Sequence, residues 1–473
     1  MKHKITTQYK KVLADIHTPV CIYNSLRDQF SNALLLEAVD YHDRSDCKSF
    51  ICLEPIAGFE SKANAYTYNL PNERPIHCKC EDAKDVFKAF ENFATSFVHT
   101  PTDLPFAIQG LWGYSSFEAV QYVEDITFSS HISDLKDNPD LKYQCFKYVL
   151  IFDHFKNELF ITNNSYSTLK DHKKSIQEIE TILGLIQVNN TPNFSFSTYD
   201  SEVSNLSDED FEKMVEKGIQ HCENGDTFQL VLSREFRQKF KGDEFNLYRC
   251  LRSINPSPYL YFFDYGDFKI FGSSPESQIQ VVEGKATITP IAGTLLRGNS
   301  QDEDLKGAEK LKQNPKEMSE HVMLVDLARN DLSKNSEEVK VENYAEIQYF
   351  SHVIHMVSKV SGKLLKDKSG LNIYADTFPA GTLSGAPKYR ALEIIAATEN
   401  TSRNFYGGSI GFFGFDGSVN HAIIIRSVLS KNNTIIYQAG AGIVADSNPK
   451  GELQEVNNKV AAIRKAIENA NAL

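Results

Sequence analysis

Nowhere in the 473 residues does an apolar run approach the roughly 18 residues that a membrane-spanning helix needs, so no membrane span is expected. The first thirty residues lack an apolar core followed by a small-residue cleavage site, so no secretory leader is expected either. Positive charge is in deficit: 50 Lys and Arg against 62 Asp and Glu give a formal net charge of −12. That excludes a broad nucleic-acid surface, which needs clustered basic residues, but not a locally positive pocket for a small anion. Useful cysteine spacing is missing too. The eight cysteines are scattered, and the close pair Cys78-Lys79-Cys80 fits neither a zinc knuckle nor a CxxC redox pair. A reduced, cytoplasmic compartment is the simplest expectation. No internal repeat and no long low-complexity tract interrupts the chain.

What the sequence does have is material for a core: 41% hydrophobic and 11% aromatic residues over a length suited to two or three domains, or one large domain with an appendage. The stretch from Gln187 to Asp208, rich in Asn, Ser, Thr and Asp, reads as a linker or surface loop between an N-terminal part (1–190) and a C-terminal part (205–473). Ser207-Asp208-Glu209-Asp210 then reads as a capping box. Phe211, Met214, Val215, Ile219 and Cys222 follow at helical spacing until Asn224-Gly225 ends the helix. Short β-favouring runs come next: Phe228 to Phe236, Tyr259 to Asp264, Lys269 to Ser273, Ser277 to Val282 and Lys285 to Ile291. Near the C-terminus, Asp416-Gly417 joins Phe405–Phe415 to Val419–Ser430 as a hairpin. Helices are expected at Lys316–Asn330, Pro387–Thr398 and Leu453–Ala472. Hairpins beside helices without βαβ alternation predict an α+β architecture.

Three groups of residues carry chemistry. Glu317 and Glu320, and again Glu452 and Glu455, lie three apart, which puts each pair on one helix face. Two such faces meeting would make a hard-oxygen site suited to Mg²⁺; either alone reads equally as a solvated helix surface. Phe378-Pro379-Ala380-Gly381-Thr382-Leu383-Ser384-Gly385-Ala386-Pro387-Lys388 sets a glycine-rich loop before a helix whose first turn holds Pro387, where unpaired N–H groups can take a carboxylate. Gln438-Ala439-Gly440-Ala441-Gly442 and Tyr406-Gly407-Gly408 can bring backbone close to a ligand, or simply turn. Finally, Arg426 follows Ala422-Ile423-Ile424-Ile425, and His355 sits in Val353-Ile354-His355-Met356-Val357. A buried Arg needs an anion, from a substrate carboxylate or a structural ion pair, and the histidine is a catalytic or a core residue. Taken this far, the residues describe a metal-assisted enzyme acting on a small carboxylate.

Taken together, Pro290-Ile291-Ala292-Gly293-Thr294, the run 316–331 (KEMSEHVMLVDLARND), the run 378–388 (FPAGTLSGAPK) and the run 438–447 (QAGAGIVADS) closely resemble anthranilate synthase component I among the chorismate-utilising enzymes. The resemblance runs from Ser207 to the C-terminus. It continues more thinly upstream, where Leu34-Leu35-Leu36-Glu37 and Asp46 to Phe50 look like an N-terminal regulatory region. It implies antiparallel sheets packed face to face with helices outside, and a two-step amination of chorismate with release of pyruvate.

The resemblance also implies roles. Glu317, Glu320, Glu452 and Glu455 would hold Mg²⁺, and with it a chorismate carboxylate. Arg426, Tyr406, Gly440, Gly442, Lys459 and Ala292 would line the substrate. Glu276 would be the general acid, its pKa raised by burial and nearby carboxylates. His355 would assist pyruvate elimination, with Thr294 as a further contact and Gln229 in the place of a general base. Relatives that add water carry a lysine there, and an amide cannot take a proton from water near neutrality. Relatives that attack covalently carry lysine at the position of Ala292. Both differences favour ammonia at the neighbouring ring carbon, with aminodeoxychorismate synthase component I or another chorismate enzyme as the alternative.

No cysteine lies in a Gly-x-Cys-x-Gly elbow, so ammonia is expected from a separate glutamine amidotransferase subunit. Leu295-Leu296-Arg297-Gly298 stands where the family has Arg-Pro-Arg-Gly. Glu37, Ala38, Pro256, Ser257 and Tyr259 correspond to a tryptophan-feedback site in which Ala38 replaces a serine. Tryptophan is therefore expected to bind more weakly for want of one hydroxyl, worth about 0.5–1.5 kcal/mol.

Overall fold

A computed structural model describes residues 2–38, 47–128, 134–166, 172–188, 194–298, 300–349 and 353–473. Asp46 and residues 189–193 of the expected linker fall outside these. Among the described residues no helix is long and apolar enough to cross a membrane.

Two antiparallel sheets are built around one long antiparallel strand pair. The strands Lys48–Lys62 and Leu141–Asp153 pair along almost their full length, with a bulge between Pro55 and Ala57 where Glu54 takes φ +59°. Beyond the bulge each strand belongs to a different sheet. The first sheet runs Thr6–Leu13, Glu158–Ser165, Leu141–Asp153, Lys48–Lys62, Leu34–Ala38, Tyr259–Asp264, Phe268–Ser274, Ser427–Lys431, Thr434–Ile443 and Gln229–Gly242. The second runs Ile76–Lys79, Ala65–Asn69, the far ends of the shared strand pair, Gly110–Ser115, Ser409–Gly414, Val419–Ile423, Ser277–Val282, Lys285–Ile288 and Val353–Leu364. The strand Val353–Leu364 also carries Ile291–Leu296 and Ser336–Tyr349. Each sheet is thus half N-terminal and half C-terminal strands, joined where Leu34–Ala38 pairs with Tyr259–Asp264 and where Gly110–Ser115 pairs with Ser409–Gly414.

Side-chain alternation explains the layers. Leu34 and Leu36, Tyr259, Tyr261 and Phe263, and Ile410 and Phe412 point into a core shared by the two sheets. Their neighbours Leu35, Phe262 and Phe413 face the opposite way, into a second core covered by helices such as Phe245–Ile254 and Pro449–Ala470. The expected α+β class and the face-to-face sheets with outer helices are what the structure has.

Most expected elements are present with adjusted ends. Ser207 caps the helix Asp208–Glu223, its hydroxyl taking the Asp210 N–H. The helix around the first acidic pair is Pro315–Ser333, and the last helix begins at Pro449, which puts Glu452 in its first turn. Three runs break where sequence periodicity gives no warning. Lys285–Ile291 divides after Ile288, ahead of Pro290. Val419–Ser430 divides at Arg426, whose φ is +50°. The strand expected from Phe405 starts at Ser409, because Gly407 takes φ +76°. The 378–388 segment is also more ordered than a loop. Gly381–Ser384 forms one helical turn, Gly385–Ala386 pairs with Gln229–Leu230, and Pro387 caps the helix Lys388–Thr398 instead of lying in its first turn.

Candidate active site

The chain crosses between the two sheets twice at one place. Ser274-Pro275-Glu276 leads from the first sheet to the second, and Ile424-Ile425-Arg426 leads back. The crossings are tied together: the Ile423 N–H donates to the Glu276 carbonyl at 3.0 Å, and the Ser273 N–H to the Arg426 carbonyl at 3.2 Å. Gly407 and Gly408 join them by exchanging backbone bonds with Ile424. Non-local pairing therefore brings Glu276, Arg426 and Tyr406 to one cleft. A long side chain in the left-handed region, as at Arg426, costs on the order of 1–3 kcal/mol and persists only where surrounding structure imposes it.

Glu276 opens on the cleft, yet protein encloses its carboxyl. Burial lifts the pKa to about 7, while a 2.9 Å hydrogen bond from the Thr382 hydroxyl and the charges of Arg426 and Lys459 pull the other way. The expected contribution from nearby carboxylates is not among the influences on it; burial does the lifting. A cavity of about 40 Å³ adjoins this carboxyl, lined by Gln278, Asp331, Thr377, Gly381 and Thr382 among others.

Arg426 is pushed below its ordinary value by burial and supported by the Glu276 charge. No hydrogen bond or ion pair engages its guanidinium among the described residues, so the structural ion pair considered from sequence is not formed. An unpaired, largely desolvated fork is a receptor for a carboxylate.

His355 is buried, and its Nδ1 lies 2.9 Å from the Gly293 carbonyl. A carbonyl only accepts, so the ring proton belongs on Nδ1 and Nε2 is the basic nitrogen. Burial holds the imidazole below its ordinary pKa; the Gly293 carbonyl opposes this, and the Arg426 charge adds to it. Thr294 is the register partner of His355, and Ala292 is buried on the same strand.

The first sheet supplies a backbone wall. A Cβ on Gly440 would come within 2.9 Å of the Leu232 carbonyl and of the Tyr406 hydroxyl, and one on Gly442 within 2.5 Å of the Gln229 amide nitrogen, which would have to move aside. The side-chain amide oxygen of Gln229 is buried, with no hydrogen-bond partner among the described residues. Lys459 donates to the Gly440 carbonyl at 2.9 Å and pairs with Glu455 at 2.7 Å. Burial raises the Tyr406 phenol well above its ordinary value.

The four acidic residues share one electrostatic field. Burial raises Glu320, followed by the like charges of Glu317 and Glu455; burial raises Glu452, and Glu455 adds to it. The Glu317 carboxylate also stands beside Gly293, on the histidine side of the cleft: a Cβ on that glycine would meet it at 3.0 Å. These carboxylate oxygens have the chemistry for a hard divalent cation. No three His, Cys, Asp or Glu side chains stand within common ligating reach among the described residues.

The residues assigned to feedback lie together elsewhere in the first sheet. Ala38 pairs with Tyr259 and Glu37 with Leu260, with Ser257 buried just upstream. The Glu37 carboxylate accepts from Tyr248 at 2.7 Å and twice from Arg252 at 2.8 Å. Tyr259 donates to Asn420 at 3.2 Å and accepts from Gln280 at 2.7 Å.

Sequence reasoning missed Thr382 as the partner of Glu276, although Thr382 lay inside a quoted motif. It also missed Arg403, a fully buried arginine three residues before Tyr406. The signal available was a lone Arg ahead of Phe405-Tyr406-Gly407-Gly408, of the same kind that singled out Arg426.

Comparison with known proteins shows the family and the fold. The family model for chorismate binding enzyme matches residues 36–465. Anthranilate synthase component 1 of Aquifex aeolicus is 34% identical over 99% of this chain and 96% of its own. The crystal structure of anthranilate synthase component I from Streptococcus pneumoniae superposes with a TM-score of 0.78 at 31% identity, covering 96% of this chain and 99% of that one. The menaquinone-specific isochorismate synthase of Escherichia coli shares the fold, with a TM-score of 0.74 at 17% identity over 98% of this chain and 95% of that one.

Proposed function

The chain belongs to the chorismate-binding enzymes, within the group of anthranilate synthase component 1, and from that premise we propose that it is the lyase subunit that converts chorismate and ammonia to anthranilate and pyruvate. The observation that carries this reading is the pairing of Glu276, held at a pKa of about 7, with the unengaged Arg426 in one cleft.

Arg426 takes the enolpyruvyl carboxylate, helped by Tyr406 and the backbone at Gly440 and Gly442. Ammonia adds to a ring carbon as the ring hydroxyl departs. Glu276, about half protonated near neutrality, gives that oxygen its proton so that it leaves as water. The proton shed by the added ammonia restores the carboxyl. In the second step Nε2 of His355 takes a ring proton and the ring becomes aromatic. The ring carbon–oxygen bond breaks with its electrons going to oxygen, and the released enolate takes that proton at carbon to give pyruvate. Glu317, Glu320, Glu452 and Glu455 would hold Mg²⁺, which supplies positive charge to grip a substrate carboxylate.

Ala292 and Gln229 supply neither the covalent amine nor the water-activating base of related enzymes, which supports direct use of ammonia. The ammonia comes from a separate glutamine amidotransferase subunit, and tryptophan acts as feedback inhibitor at Glu37, Ala38, Pro256, Ser257 and Tyr259. Cys52, Cys78, Cys80, Cys145, Cys222 and Cys250 are free thiols, in keeping with a reducing cytoplasm.

The test is anthranilate fluorescence from the purified chain with chorismate, Mg²⁺ and ammonium at mildly alkaline pH. A rising signal abolished by EDTA is expected. Chorismate consumed without that signal points instead to aminodeoxychorismate or another product, which mass spectrometry identifies. No consumption, with or without an amidotransferase subunit, removes the catalytic reading.

A further inference from the structure

We propose that the buried ion pair Arg403–Glu399 is a positioning unit that fixes the substrate-facing backbone of the cleft. The inference rests on the chorismate reading for what is bound, and on geometry for how it is held.

The strand Gln229–Gly242 is paired along one edge with Thr434–Ile443. Its other edge is paired only in pieces: with Gly385–Ala386 at Gln229 and Leu230, with Val203–Ser204 from Phe236, and with Phe196–Thr198 farther on. Between these lies a stretch with no strand beside it among the described residues, buried at Val231 and Ser233. Backbone groups on a buried edge must find partners. Here side chains supply them. Arg403 Nη2 donates to the Val231 carbonyl at 2.8 Å, and Glu399 Oε1 accepts from the Ser233 N–H and hydroxyl, each at 2.8 Å. The ion pair stands in for a missing strand.

Its position matters for the cleft. Val231 is the register partner of Gly442, and Ser233 of Gly440. The same guanidinium donates through Nη1 to the Leu383 carbonyl at 2.6 Å, next to Thr382, which holds Glu276. It lies over the rings of Phe117 at 4.4 Å and Tyr406 at 5.7 Å, and its own carbonyl accepts from the Tyr406 N–H. Two further bonds, at 2.8 and 2.6 Å, lock it to Glu399, with side-chain exposures of 1% and 6%. One planar fork therefore ties the glycine wall, the Tyr406 segment and the loop bearing Thr382 into a single frame. A lysine keeps the charge, but its compact ammonium cannot span partners spread around a planar fork.

The test is steady-state kinetics on the full chain with chorismate, Mg²⁺ and ammonium for Arg403→Lys, Glu399→Gln and the milder Ser233→Ala. It is paired with amide hydrogen exchange over 381–388 and 438–443. A purely structural lesion lowers the active fraction, so apparent kcat falls and KM stays put. Mispositioning of the anchors gives the other split: KM for chorismate rises about tenfold in Arg403→Lys and about threefold in Ser233→Ala, with kcat within about threefold. Exchange in both segments is expected to quicken about tenfold in Arg403→Lys. If Arg403→Lys does not fold, Ser233→Ala and Glu399→Gln decide. Unchanged KM and unchanged exchange in the folded variants overturn the proposal. A wild-type chain that leaves chorismate untouched overturns the substrate reading instead, and exchange still decides whether the pair holds these segments.

Discussion

Replacing Thr382 by valine keeps the shape of the side chain and deletes the hydroxyl that donates to Glu276 at 2.9 Å. That bond favours the ionised carboxylate and so holds the pKa down against burial. A hydrogen bond to a charged group is worth about 1.5–3 kcal/mol and one to a neutral group about 0.5–1.5 kcal/mol. The ionised form therefore loses about 1–1.5 kcal/mol more than the neutral one, close to one pKa unit at 1.36 kcal/mol per unit. Glu276 moves from about 7 to nearer 8. A general acid works while it is protonated, so the alkaline limb of the rate profile moves upward by the same amount. The assay is kcat for chorismate consumption at saturating ammonium, expressed as the ratio of variant to wild type at each pH. The ratio cancels the rise of free ammonia with pH. It should climb about tenfold between about pH 6 and pH 9, whatever uniform loss the variant carries. A flat or falling ratio refutes both the role of Glu276 as acid and the restraining role of Thr382.

Other outcomes follow from the same geometry. Glu276→Gln should lower kcat by about 10²–10⁴-fold. Because the folded pKa lies above the ordinary carboxylate value, the wild type loses stability as pH rises through about 7. The variant should therefore melt higher than wild type at alkaline pH and gain nothing below about pH 4, where the carboxyl is protonated in both the folded and the unfolded chain, as differential scanning fluorimetry would show. His421 is fully buried, and burial depresses its pKa to about 3, with Nε2 3.1 Å from the Tyr143 hydroxyl. Wild-type stability should fall as pH drops from about 6 toward 3, at up to about 1.4 kcal/mol per unit from this group. His421→Leu should flatten that slope in urea titrations. Ala38→Ser, restoring the missing hydroxyl, should lower the half-inhibiting tryptophan concentration about three- to tenfold; an unchanged value removes residue 38 from the effector site.

Much of this protein could be read along the chain because its chemistry is written in short stretches. Glu317 and Glu320, and Glu452 and Glu455, share helix faces by spacing alone, and the structure keeps each pair on one helix. Helix caps and the Asp416-Gly417 hairpin are local too, since a turn or cap is decided by residues within hydrogen-bonding reach in sequence. Ala292 and Gln229 could be weighed as absences without any coordinates. Other features needed the assembled fold. Glu276 and Thr382 are 106 residues apart, and Arg403 and Val231 are 172 apart. Nothing in either local sequence specifies the partner; the two sheets bring them together where the chain crosses between them. The raised pKa of Glu276 likewise comes from burial, a property of everything packed around a group. Which functional groups the chain has to offer, and at what spacing, is decided by sequence alone, since identity and spacing are local. Tertiary structure decided which of them touch, which stay unpaired, and at what pH they hold a proton, because enclosure and distance exist only once distant segments have packed.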